Sequence, residues 1–87
     1  MMTTATNSVI ADVVSERVRQ NTKWGVQRHQ YGDWIAILGE EFGEASQAAV
    51  EYIFGRHAST DDLRKELVQV AAVAVQIIEQ IDEQEQR

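Results

Sequence analysis

Eighty-seven residues are enough for one small domain with a single core. The chain has no cysteine, which excludes disulfides and Cys-ligated zinc or iron–sulfur centres. Its net charge of −6 is lopsided: residues 1–32 hold four bases against two acids, and residues 33–87 hold four bases against twelve acids, so no continuous basic face exists for duplex DNA and no nucleic-acid partner is expected.

The absence of proline, the small number of glycines and the abundance of Ala, Val, Glu and Gln favour helices, so an all-α fold is expected. "MMTTATNSVI" has neither the basic start nor the apolar run of a signal peptide. No stretch approaches the roughly 20 apolar residues of a membrane span, so a cytoplasmic protein without membrane contact is expected.

Three helices are legible. The first is expected from about Ser8 to Gln20, with Ile10, Val14 and Val18 at i, i+4, i+8, Val9 and Val13 widening the stripe, and Asn7 or Ser8 as cap. "NTKWGVQRHQYG", residues 21–32, loses that periodicity and reads as a loop. The second helix starts near Asp33 as N-cap and ends at Phe54, stopped by Gly55. Leu38, Phe42, Ala45, Ala49 and Tyr52 form its expected core seam, and Ile37, Glu41, Glu44 and Ala48 form a stripe beside it. Gly39 and Gly43 fall inside this helix, where each costs about 1 kcal/mol relative to alanine and implies close approach by a backbone or a ligand.

The third helix opens at "STDD", where Ser59 and Asp62 fit a capping box, and runs to about Gln84. Leu63, Leu67, Val70, Ala74, Ile77 and Ile81 form one seam; Val68, Ala71, Val75 and Ile78 form a second. Glu66, Gln69, Val73 and Gln76 form a third line. A helix apolar on two faces needs burial on two faces, and three helices cannot easily supply both partners, so a homo-oligomer, dimer or tetramer, is expected. The terminal "EQIDEQEQR" reads as a solvated helix end.

The chemistry-bearing constellation lies on helices two and three. Glu41 and Glu44 are one turn apart, Glu40 lies beside Glu44 at i+4, and three like charges this close repel unless something positive sits among them. Glu66 and Gln69 are likewise one turn apart. If the helices pack antiparallel, Glu41, Glu44, Glu66 and the Gln69 carbonyl converge on an oxygen-only cluster suited to Mg²⁺ or Mn²⁺ and unsuited to zinc. A di-iron bundle would need Glu-x-x-His on its helices, whereas His29 and His57 fall in or beside expected loops.

"EEFGEA" followed by "KELVQV" resembles the Glu-x-x-Glu … Glu-x-x-Asp signature of the all-α nucleoside triphosphate pyrophosphohydrolases, the MazG-like proteins and their relatives, the dimeric dUTPases and dCTP pyrophosphatases. "ERVRQNTKWGVQRHQYGDW" resembles the N-terminal segment of short MazG-like proteins, so the likeness runs from about Ser15 to Ile81. It implies an all-α oligomer that uses Mg²⁺ to split a nucleoside triphosphate into monophosphate and pyrophosphate. It makes Glu41, Glu44 and Glu66 metal ligands, counts Glu40 and Glu41 as catalytic, and matches Glu40 to an extra glutamate that ligates a metal or orients the attacking water. Gln69 stands where the family has Asp; its amide oxygen can ligate Mg²⁺ but contributes no charge, which lowers affinity for further metals. This departure keeps open a catalytically weak or inactive relative that binds nucleotide or a protein partner. A plain helical assembly module without ligand is a third reading.

Trp24 and Trp34 are candidates for stacking on a base, the resemblance favouring Trp24, although a tryptophan in a small helical domain also serves as a core anchor. Lys23, Arg28, Arg56, Arg64 and Lys65 are candidate phosphate contacts.

Overall fold

The computed structural model describes residues 2–56 and 58–86; His57 lies outside the described residues. The architecture is all-α, with α1 at Thr4–Trp24, α2 at Tyr31–Ile53 and α3 at Asp61–Glu85, and no strand among the described residues. The helices run longer than their periodicity suggests because local bonds fix their ends. Thr3 Oγ1 accepts from Thr6 N at 3.1 Å, so the first helix starts at Thr4, and Asn7 and Ser8 lie inside it rather than capping it. Gly25, at φ 74°, ends α1 and donates to Asn21 O at 2.9 Å; residues 21–24, expected in the loop, are its last turn.

Residue Gln30, not Asp33, is the N-cap of α2, and Asp33 sits in the first turn where a carboxylate favours the helix dipole. The Ser59–Asp62 capping box does not form. Thr60 is the N-cap of α3, and Ser59 Oγ instead accepts from the Asp61 N–H at 3.3 Å. Gly55, at φ 74°, follows the last turn of α2 and donates to Tyr52 O at 3.1 Å, as its expected stop role requires.

Helix α3 is the central element. It packs against both α2 and α1, while α1 and α2 do not approach each other. The core is small: Trp34, Val73 and Ile77 form its centre, with Ile37, Leu38 and Ile81 packed around them. Ala45 and Ala48 of α2 and Ala72 of α3 are buried as well. Radius of gyration is 14.6 Å, against about 12 Å for a compact domain of this length.

Inward faces depart from the sequence expectation. On α3 the polar line is turned in: Val73, Gln76 and Gln80 are buried and Glu66 and Gln69 half-buried, whereas Leu67, Val75 and Ile78 of the apolar seams are exposed. On α2 the inward face is Trp34, Ala45 and Ala48 with half-buried Ile37, Leu38 and Glu41. Phe42 and Tyr52, expected in the core seam, are 62 % and 44 % exposed.

The C-terminal run is a docking strip. Glu79 pairs with the buried Arg17 at 2.9 Å, Glu83 pairs with Arg28 at 2.7 Å, and Gln84 accepts from the Tyr31 hydroxyl at 2.6 Å. Gln80 is 2 % exposed and takes the Trp34 indole N–H at 2.7 Å. It also accepts from the His29 backbone N–H at 3.1 Å and donates to the His29 carbonyl at 2.7 Å. These bonds pin the α1–α2 connection to α3, and α2 starts two residues after the pinned His29. His29 adds an edge-to-face contact with Trp34, ring centroids 4.7 Å apart.

Candidate metal centre

Helical geometry puts Glu41 and Glu44 on one side of α2 and Glu66 and Gln69 on the facing side of α3. One carboxylate oxygen from each of Glu41, Glu44 and Glu66 lies within 4.8 Å of the others. On an octahedral Mg²⁺ opposite ligands stand about 4.2 Å apart and adjacent ones about 3 Å, so at least two of the three pairs of acids must come to about 3 Å to share one ion. The all-oxygen donor set and partial exposure, which leaves room for retained waters, fit that hard cation. Glu40 is exposed beside them.

The acids carry the electrostatic marks of crowding. Burial pushes the Glu41 carboxyl above its ordinary value, and the charges of Glu44, Glu66, Glu16 and Glu40 push it further. Glu66 is raised first by burial, then by a hydrogen bond and charge repulsion from Glu44, with Lys65 acting weakly in the opposite sense.

Gln69 belongs to the same group. With its amide turned to satisfy both neighbours, Nε2 donates to Glu41 Oε2 at 3.2 Å and to Glu66 Oε2 at 3.1 Å. Its two N–H donors thus join α2 to α3 across the repelling acids, as an aspartate there could not. To ligate a cation the amide must turn over and present its oxygen.

Because α1 and α2 diverge, a cleft of about 270 Å³ opens between them over α3. Glu41 and Gln69 stand in its wall beside Trp24, Gln27, Gln76 and Arg19. A second cleft, about 590 Å³, lies between α1 and the start of α3, and Arg19, Arg64 and Lys65 supply its bases. The two meet at Glu16, Arg19 and Gln69. Arg19 is held there by Glu16 through bonds of 2.9 and 2.6 Å, and the same bonds depress the Glu16 carboxyl below its ordinary value.

The substrate candidates separate. Trp24 is 60 % exposed at the cleft, with Lys23 Nζ 4.7 Å above its ring, so one ring face remains for a ligand. Trp34 is 1 % exposed and its indole N–H is spent on Gln80; it is a core anchor, which corrects the expectation that it offers a stacking face. Arg28 is paired with Glu83, about 25 Å along α3 from Glu66, so it is not beside the acids. Arg19 and Glu16, which the sequence reading passed over, are at the junction; their signal was an i, i+3 acid–base pair on a helix. Comparison with protein-family models, curated proteins and solved structures returns no match for this chain.

Proposed function

We propose that this chain is a MazG-like, Mg²⁺-dependent nucleoside triphosphate pyrophosphohydrolase that works as a homo-oligomer, converting a nucleotide triphosphate to the monophosphate and pyrophosphate. The observation that carries the reading is the convergence of Glu41, Glu44 and Glu66, with Glu41 in the wall of a cleft that also holds the exposed Trp24 and Arg19. Glu41, Glu44, Glu66 and the Gln69 oxygen would hold Mg²⁺ or Mn²⁺, which would supply charge against the phosphates and lower the pKa of a bound water. Trp24 stacks the base, while Arg19, Arg64 and Lys65 meet the phosphate tail from the adjoining cleft. Glu40, with Glu41, orients the attacking water and accepts its proton. The pool of surplus or non-standard nucleotides is the substrate class that the family resemblance suggests.

One observation favours a second reading, a catalytically weak relative that binds nucleotide without efficient turnover: the Gln69 amide already bridges two of the acids and must be displaced before a cation enters. A nucleotide panel with Mg²⁺ or Mn²⁺ and pyrophosphate detection tests the first reading. Turnover that Glu41→Gln and Glu66→Gln abolish would support it. No turnover of any nucleotide, together with no metal binding by calorimetry, would overturn it. Metal and nucleotide binding without turnover would favour the second.

A further inference from the structure

One unpartnered feature of the molecule is a face of α2. Ile35, Gly39, Phe42, Ser46, Ala49 and Ile53 follow one another at intervals of four and three residues, the repeat of a helix–helix seam. None of them is buried: Ile35 is 60 %, Phe42 62 % and Ile53 72 % exposed. The seam lies roughly a quarter to a third of a turn away from the Trp34–Ala45–Ala48 face that packs on α3. It is therefore a second apolar face rather than a frayed edge of the first.

We propose that this seam is the interface at which a second copy of the chain docks, the two α2 helices related by a two-fold axis. The inference extends the homo-oligomer of the proposed function by naming its face, and its test needs neither nucleotide nor cation.

Three observations select a second copy as the occupant. The first is area. The accessible surface is 6248 Å², about 1,000 Å² more than a compact monomer of this mass exposes, and a standard interface takes about 800 Å² from each partner. The second is charge. Every acid of α2, Asp33, Glu40, Glu41, Glu44 and Glu51, lies off the seam and its flanks, where Tyr31, Leu38, Gly43 and Val50 stand. A two-fold contact sets each residue near its own equivalent, so a chain of net charge −6 can meet itself closely only across a face without acids. The third is Gly39. A Cβ there would meet nothing within 4 Å, so no neighbour in the chain explains a glycine in mid-helix. Across a two-fold seam, Gly39 and Ser46 let two helices approach while Ile35, Phe42 and Ile53 interdigitate.

The apolar groove between α1 and α3 is the competing surface, and its Arg17–Glu79 pair and Asn21 set charged and polar groups into it. The α2 seam has no charged group, and Ser46 is its one polar side chain.

Sedimentation and light scattering of the full chain decide the matter. Wild type should associate at micromolar concentration, and Phe42→Glu should raise the dissociation constant more than about 100-fold, since each pair carries the substitution twice. Gly39→Lys guards against loss of fold: lysine is the better helix former and meets no neighbour, so circular dichroism should hold while association is lost. Val14→Glu, in the competing groove, should leave association intact. A monomeric wild type would overturn the proposal. So would association that survives both α2 substitutions, or that Val14→Glu alone abolishes.

Discussion

Gln80→Leu is the substitution whose cost can be worked most directly from the structure. The wild-type side chain, 2 % exposed, makes three hydrogen bonds of 2.7, 3.1 and 2.7 Å to Trp34 and the His29 backbone. Leucine keeps the volume and removes all three. The Trp34 indole N–H then stays buried without a partner, at about 2 kcal/mol, while the two His29 groups are near enough to solvent to rehydrate at about 0.5 kcal/mol each. The sum, about 3 kcal/mol, is a large part of the roughly 4–13 kcal/mol that a chain of this length holds. At about 4–8 °C per kcal/mol the melting midpoint should fall by roughly 12–24 °C. Gln80→Glu should not rescue it, because a carboxylate accepts from Trp34 but cannot donate to the His29 carbonyl and brings a buried charge. Urea and thermal denaturation followed by circular dichroism measure the loss. A Trp34→Phe double-mutant cycle should return a coupling of about 2 kcal/mol, the cost of the orphaned indole N–H. A Gln80→Leu protein within about 0.5 kcal/mol of wild type would refute the assignment of Gln80 as the clamp on the α1–α2 connection.

Further expectations concern the acids and the cleft. In chelator, Gln69→Leu should lower the melting midpoint by about 5 °C by deleting the bridge between Glu41 and Glu66, and millimolar Mg²⁺ should recover part of the loss; an unchanged midpoint in chelator would remove the bridge. Glu41 and Glu66 hold protons more tightly folded than unfolded, so each costs stability above its raised folded value, and the cost vanishes as the pH falls below the ordinary 4.5. Glu41→Gln should therefore stabilise the metal-free protein at neutral pH, with the gain disappearing towards pH 4.5; midpoints measured against pH check the sign. Glu16 works oppositely: its depressed carboxyl contributes stability above 4.5 that is lost as the pH falls through its folded value, and Glu16→Gln should remove that dependence. Trp24→Ala should weaken nucleotide binding by about tenfold or more, read by calorimetry, and leave the melting midpoint nearly unchanged because the ring is 60 % exposed.

Much of the candidate centre was legible because it depends on distances along a helix. Glu41 and Glu44, or Glu66 and Gln69, must share a side of any α-helix that contains them. That the two pairs face each other needed α2 and α3 to be packed neighbours, as they are, and the Glu66–Gln69 line of α3 to turn inward. Arg19 was harder to find, since its place at the junction of two clefts depends on the angle at which α1 leaves α2. The contrast between Trp24 and Trp34 is of the same kind: identical side chains on either side of one connection, one exposed and one buried, sorted by a glutamine near the other end of the chain.

By itself the sequence determined the helices, their order and the pairing of acids within each, because periodicity, glycine stops and i, i+3 spacing are local properties of the backbone. Which line of α3 faces inward was decided only in the tertiary structure. Hydrophobicity ranks Leu67, Val75 and Ile78 as the interior and "EQIDEQEQR" as solvated tail. The fold instead turns Glu66, Gln69, Gln76 and Gln80 inward and leaves those apolar side chains exposed. The physical reason is that a buried amide costs little once its donors and acceptors are matched, and the matches come from residues about fifty positions away, Trp34 and His29 among them. No local pattern announces such a partner.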